Sequence, residues 1–292
     1  MKKHVIETRE ALAFFLTLLV LLAAGSLWDA PLSCAVYNES SRFGQILAAY
    51  GEYPAALGWV AAGVLLIVGR NREKKALAVL QILGGGLLTV FGALMTCVMP
   101  TLYLDWPKPV LFLIGLLCSC AAGVLVVRLG RHARRDAVLR TAAALFFAIL
   151  AEMLLINLIK IPWGRPRMRL IASDSRAFFL PWWQPGTTLR DQLTALGVAA
   201  EEFKSFPSGH AGNAVTLLLL GLLPQLNERL APKRRLFVIL GFVWACLVSF
   251  SRIIMGAHFL SDTAVGMLTG LLCCLLVTRL VFRSKAACPP QS

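Results

Sequence analysis

Apolar residues fall along the chain in runs of about 20, set apart by short segments rich in Lys and Arg. The runs lie at about 11–28, 52–69, 76–99, 109–128, 138–161, 209–226, 236–256 and 260–282. Each is long enough to cross a hydrocarbon layer of ~30 Å at ~1.5 Å per helical residue, and a helix satisfies its own backbone there. The pattern predicts an all-α polytopic integral membrane bundle of about eight transmembrane helices. A basic start before an apolar run also describes a cleaved signal peptide, but the length of the first run favours a retained helix.

The polar connections alternate in charge. Lys2, Lys3 and Arg9 precede the first run, Arg70, Arg72, Lys74 and Lys75 follow the second, and Arg128, Arg131, Arg134 and Arg135 follow the fourth. Arg229, Lys233, Arg234 and Arg235 follow the sixth, and Arg279, Arg283 and Lys285 close the chain. The positive-inside rule makes all five clusters cytoplasmic, with both termini, and requires an even number of crossings between successive clusters, as the runs supply. The segments at about 29–51, 100–108 and 162–208, and the turn near His258, then face outward. The 162–208 segment breaks the rule with Arg165, Arg167, Arg169, Arg176, Arg190 and Lys204, and cations on that side point to an anionic ligand. Its Pro and Trp residues, among them Trp163, Trp182 and Trp183, read as an interfacial belt or as a lid over a site.

Composition agrees: 58% of residues are hydrophobic and 15% charged. The net charge of +14 would suit nucleic acid, but the cations lie between apolar runs rather than on one face, which argues against that partner and for membrane lipid. Six of the eight cysteines sit inside apolar runs and none falls at zinc spacing, so neither a disulfide framework nor a metal is indicated. Glu152, inside the fifth run, is either a paired supporting residue or a proton site. Gly84, Gly85 and Gly86 suit close helix contact or a kink.

Three stretches carry chemistry. Ser251–Asp262, SRIIMGAHFLSD, sets Arg252, His258 and Asp262 where the last two runs meet. His258 and Asp262 are four apart, and on a helix they would share a face. The carboxylate could then take the proton of one ring nitrogen and leave the other bare as a nucleophile. Arg252 offers a fork of donors suited to a phosphoryl group. Before the sixth run, FPSGH places Pro207, Ser208, Gly209 and His210 at a helix start whose first amides lack partners, an anion site with an imidazole beside it. At the end of the fifth run, KIPWGRPRMR supplies Lys160 and Arg167, either converging on one phosphate or anchoring the interface.

In this order, the stretches resemble the type 2 phosphatidic acid phosphatase family of membrane lipid phosphatases. Its first motif, Lys, six residues, Arg-Pro, is matched by Lys160 and Arg167, with Met168 in place of the proline. Its second, Pro-Ser-Gly-His, is whole at 207–210, and its third is whole as Ser251, Arg252, His258 and Asp262. The resemblance covers roughly 150–275. It implies that His258 attacks the phosphoryl group to form a phosphohistidine while Asp262 fixes its tautomer. His210 would protonate the departing oxygen and then activate water. Lys160, Arg167, Arg252 and the amides around Ser208 and Gly209 would hold the phosphoryl oxygens, with no metal or other cofactor.

The resemblance also implies a six-helix core with three helices before the second motif, whereas five runs precede it here. Residues 1–75 are accordingly expected to form an added N-terminal hairpin, 76–285 the phosphatase core, with motifs at 160–168, 207–210 and 251–262, and 286–292 a tail. The expected function is hydrolysis of a lipid phosphomonoester or diphosphate at the outer face of the cell membrane. Undecaprenyl diphosphate, phosphatidylglycerol phosphate and phosphatidic acid are the candidate substrates. A lipid phosphotransferase of the same superfamily is the alternative, and a non-catalytic lipid transporter a more distant one.

Overall fold

The computed structural model describes residues 5–283, so the tail at 286–292 lies outside the described residues. Glycine and proline punctuate the apolar runs, and most helices start or stop at them. Helix α1, Thr8–Val36, runs well past its expected end, and the short α2, Arg42–Tyr50, breaks at Gly51 before α3, Tyr53–Val68, restarts with Pro54 in its first turn. Helix α4, Lys75–Val98, tightens into a 3₁₀ turn at Met99–Leu102, and α5, Lys108–Gly130, begins after Pro107. Helix α6, Arg135–Trp163, ends at Gly164, whose φ of 71° only glycine adopts freely.

The chain is an all-α polytopic membrane bundle, with no strand among the described residues. Seven helical stretches are long and apolar enough to cross a membrane, against eight expected runs. The difference is the run at 209–226, which is divided into α9, Gly209–Val215, a 3₁₀ stretch, Thr216–Leu222, and α10, Leu223–Leu226, so that no single helix spans it. A 3₁₀ helix rises ~2.0 Å per residue against ~1.5 Å, so the run still reaches ~30 Å. It lies alongside α12, Leu260–Val281, from end to end: Ser208 N donates to Asp262 O at 3.0 Å, and Pro224 and Gln225 share a cleft with Thr278 and Arg279. Helix α11, Arg234–Ile254, completes the bundle.

Buried Leu18 of α1, Trp59 and Leu65 of α3, Ile149 of α6, Leu218 and Leu222 of the broken span, Val238 and Ala245 of α11, and Met267 and Leu271 of α12 form one core. Helices α4 and α5 bury only a narrow face and present Leu80, Leu83, Leu87, Leu113 and Leu117 outward, as lipid-facing helices do. The first two spans do not pair as the expected hairpin. Helix α1 lies along α12 and α11, whereas α3 lies along α4, α5 and α6, because α2 carries the chain across the end of α11 between them. Arg234 ties α1 to α11 at the basic end through Glu7 at 2.9 Å and Glu10 at 2.7 Å.

The 162–208 segment is a folded cap rather than a loop. It contains α7, Met168–Ser173, α8, Thr187–Ala195, and a 3₁₀ turn at Ala200–Phe203, closed over its own apolar cluster of Leu170, Leu180, Leu189, Leu193 and Phe203. Trp182 donates to Ser26 Oγ at 2.9 Å and Trp163 to Trp182 O at 3.0 Å, so these two fasten the cap to α1 and to itself, and Trp183 alone of the three points outward.

Of the three consecutive glycines only Gly85 meets another helix closely: a Cβ there would lie 2.6 Å from Gly63 O, whereas one at Gly86 would meet nothing within 4 Å. Gly85→Leu therefore destabilises the α3–α4 contact by about 1–3 kcal/mol, while Gly86→Ala is neutral or stabilising by up to about 1 kcal/mol. Thermal unfolding of the purified variants in detergent measures both.

Candidate active site

Beyond α6 the chain turns sharply at Gly164 and sends the Arg165 side chain into the protein, where it is fully buried. Its Nε donates to Leu180 O at 2.8 Å, Nη1 to Ser261 Oγ at 2.9 Å and to Asp262 Oδ1, and Nη2 to Asp29 Oδ2 at 3.0 Å. The Phe259 ring lies 4.4 Å beneath it. Asp29, from α1, also accepts from Ser261 N at 2.9 Å, which supplies a partner for an unsatisfied amide at the start of α12. Pairing of this kind offsets the cost of burying a guanidinium.

Asp262 does not bond to His258 as expected. Helix α12 begins at Leu260, so His258 precedes it and the one-turn spacing does not apply. The carboxylate is occupied by Arg165, by Phe259 N at 2.8 Å and by Ser205 Oγ at 2.5 Å, and its Oδ2 lies 3.9 Å from His258 Nδ1. The partner of His258 Nδ1 is instead the Ser205 carbonyl, at 2.5 Å. Ser205 thus bridges the two: its hydroxyl donates to Asp262, and its carbonyl accepts from Nδ1 and leaves Nε2 as the basic nitrogen. Asp262 fixes the ring through Ser205.

His258 is buried, and Lys160, Arg167, Arg252 and His210 all lie close enough to act on it. Burial first, and then the positive charge of Lys160, Arg167 and Arg252, holds its pKa well below the usual 6.5. Since a depressed pKa favours the uncharged ring, His258 is a neutral imidazole at neutral pH.

His210 sits in the first turn of α9. Its Nδ1 lies 3.4 Å from Glu52 Oε1, and its Nε2 is buried with no protein partner. Ser208 caps α9 by accepting from Ala211 N at 3.4 Å, and its own amide is spent on Asp262 O. The Ser208 amide is therefore not free for a ligand, contrary to what the family resemblance implied; the amides of Gly209 and His210 are the first-turn donors that remain. A Cβ on Gly209 would stand 3.5 Å from Lys160 Nζ, which brings the first and second motifs together.

Arg252, at the end of α11, is buried without a carboxylate: its Nε has no partner, Nη1 reaches only Met255 Sδ at 3.7 Å, and the guanidinium lies 5.3 Å from the Tyr103 ring. Arg167 pairs with Glu201 at 2.8 Å and keeps a buried Nε without a partner. The other cations of the cap all have carboxylate partners. Arg165 is taken by Asp29 and Asp262, Arg169 by Glu202, Arg176 by Asp174, Arg190 by Asp191 and Lys204 by Glu201. Charge counting along the sequence missed these local partners. Glu152 is buried against Gly212 with neither oxygen bonded, so it is not the paired residue that was one of its two readings.

Lys160, Arg167, Arg252, Gly209, His210 and His258 thus converge from the end of α6, the cap, the broken span and the α11–α12 turn. Among the described residues no three His, Cys, Asp or Glu side chains gather as a metal cluster. The arrangement can bind a compact polyanion, attack it from His258 Nε2 and exchange a proton through His210 Nε2. The sequence model of the PAP2 superfamily matches residues 141–286, which hold all of these residues.

The chain belongs to the PAP2 superfamily. Within the PAP2 region, the first motif keeps its Lys and Arg although Met168 replaces the proline, and Met168 is buried as the first residue of α7. A phosphatidylglycerophosphatase B of Bacillus subtilis (strain 168) is 38% identical over 79 residues, 25% of this chain and 37% of that protein, so the chain spans well under half of that relative's length. No solved structure matches the chain. Arg165, Ser205, Asp29 and Glu52 were not read as site residues from the sequence. Asp29 and Glu52 lie outside the PAP2 match, and their one signal was a carboxylate at the end of an apolar run.

Arg165→Met leaves Asp29 and Asp262 buried and unpaired and costs about 3–5 kcal/mol, seen as a lost or strongly lowered thermal transition in detergent. Substrate-free protein labelled at histidine, followed by NMR in detergent, shows the His258 ring neutral at pH 6.5 with a midpoint below that value; a midpoint above it would contradict the electrostatic account.

Proposed function

We propose that the chain is a membrane lipid phosphatase that cleaves a lipid phosphomonoester or diphosphate through a phosphohistidine on His258. The observation that carries this is the pairing of an oriented, neutral imidazole with the half-buried Lys160 and the buried Arg167 and Arg252, of which, among the described residues, only Arg167 forms an ion pair with a carboxylate. Buried positive charge without a partner is costly, and a phosphoryl group supplies the missing counter-charge.

In the first step His258 Nε2 forms a bond to phosphorus as the bond to the leaving oxygen breaks, and His210 Nε2 delivers a proton to that oxygen. In the second, water gives a proton to His210 and attacks phosphorus, the P–N bond breaks, and phosphate departs with His258 neutral again. Lys160, Arg167, Arg252 and the Gly209 and His210 amides hold the equatorial oxygens, where charge redistributes in the transition state. Ser205 and Asp262 keep the His258 ring in one tautomer throughout.

The basic connections gather at one end of the bundle and the motifs at the other, which supports a site facing outward, with both termini cytoplasmic. Such a site meets headgroups of the outer leaflet. Phosphatidylglycerol phosphate, undecaprenyl diphosphate and phosphatidic acid fit that placement, and the relative's name favours the first.

Purified protein in detergent, with chelator present, releases phosphate from at least one of these three lipids. His258→Ala lowers that release by about three orders of magnitude or more without shifting thermal unfolding. A variant that keeps its turnover excludes the mechanism, and phosphate release that falls on adding acceptor lipids, with phosphorylated acceptor appearing, redirects the second step to transfer.

A further inference from the structure

Glu52 occupies an unusual position for a helix-capping residue. It is the N-cap of α3, yet its side chain makes no capping bond to that helix. The carboxylate reaches across to α9 instead, where Oε1 accepts from Asn213 Nδ2 at 3.0 Å and lies 3.4 Å from His210 Nδ1. His210 and Asn213 are three residues apart on one face of α9, so one carboxylate oxygen meets both. The residues on either side of Glu52 are pinned by different helices. Gly51 O accepts from Trp244 Nε1 of α11 at 3.4 Å, and Tyr53 Oη donates to Thr96 O of α4 at 2.6 Å. At Gly51 a Cβ would come within 2.7 Å of Val248 Cγ1, so the turn that presents Glu52 sits hard against α11.

We propose that Glu52, from a span outside the PAP2 match, is the positioning residue for His210, orienting its ring and stabilising its imidazolium during phosphoryl transfer. The inference rests on the assignment of His210 as proton donor and acceptor made above. To serve as acid in the first step, His210 must carry protons on both nitrogens. Nε2–H faces the leaving oxygen and Nδ1–H faces Glu52. In the second step the ring takes a proton from water at Nε2, and the imidazolium so formed again has the carboxylate behind it. Lys160, Arg252 and Arg167 lie close enough to act on the same ring, the Ala48 backbone carbonyl is one acceptor beside it, and Glu52, at 3.4 Å from Nδ1, is the carboxylate that pairs with it. This is the logic by which a buried acid orients a histidine base and steadies its charged form. Asn213 holds the carboxylate in place.

The experiment uses the full chain in detergent with Glu52→Gln, Glu52→Ala and His210→Ala. Glu52→Gln is nearly isosteric and guards against loss of folding, which thermal unfolding monitors. With a lipid phosphate substrate, Glu52→Gln lowers kcat about 10-fold and Glu52→Ala about 100-fold, with KM changed less than about threefold. With p-nitrophenyl phosphate, whose leaving group needs no proton, the first step survives and the second slows. Both Glu52 variants then release a stoichiometric burst of nitrophenolate and accumulate acid-labile phosphohistidine, as His210→Ala does. Unchanged turnover in Glu52→Gln overturns the proposal. So does loss of activity without phosphohistidine in the Glu52 variants when His210→Ala accumulates it, since that pattern is a structural role. Absence of phosphohistidine in His210→Ala as well overturns the covalent mechanism itself, and the Glu52 proposal with it.

Discussion

One fully buried guanidinium fixes the geometry on which the site depends. Arg165 joins Asp29 of α1, Asp262 and Ser261 of α12, and the carbonyl of Leu180 in the cap, four points from three parts of the chain. Its planar fork makes the arrangement directional in a way that an ammonium would not. Because Asp262 reaches His258 only through Ser205, the orientation of the His258 imidazole depends on a carboxylate that Arg165 holds. A shift of the cap relative to α12 would pass through Ser205 to the ring.

The same arrangement separates charge across His258. On the Nδ1 side stands Asp262, 3.9 Å away, joined through Arg165 to Asp29; Lys160, Arg167 and Arg252 also lie close enough to act on the ring. Burial and this positive charge keep the free imidazole unprotonated, and in the proposed mechanism the same cations draw a phosphoryl group to it. In the proposed mechanism, carboxylate charge on the Nδ1 side offsets the charge of the phosphorylated ring, with Nδ1–H still donating to Ser205 O. The cations that favour binding would disfavour the phosphorylated ring if they surrounded it on every side, so the order of charges is as important as their number.

The spans were legible because crossing a membrane imposes a length and a composition that few other structures require, and the motif residues because their spacing is specific. Two errors share a cause in local geometry. His258 and Asp262 were read as one turn of helix, but α12 starts between them, and the run at 209–226 was read as a plain helix although it is stretched by a 3₁₀ segment. The cap cations misled in part for another reason. The partner of Arg165 in α1 lies 136 positions away, beyond any sequence pattern, although Arg176 and its Asp174 are only two apart and could have been matched by inspection.

The placement of the first spans follows from the same electrostatics. The PAP2 region from 141 to 286 brings together two imidazoles and the cations Lys160, Arg165, Arg167 and Arg252, most of them buried. Asp262 accepts from Arg165 and from Phe259 N, which leaves the second Nη of Arg165 and the Ser261 amide to be met elsewhere, and Asn213 Nδ2 beside His210 needs an acceptor. Asp29 answers the first need from α1 and Glu52 the second from the start of α3. The two helices flank the core on different sides, and each sets one carboxylate beside a different half of the site. A pair of spans added only to thicken the bundle would pack through apolar faces and keep its acids in water. These two instead bury one acid fully and the other nearly so, at the level of the motifs, where an unpaired carboxylate would be expensive.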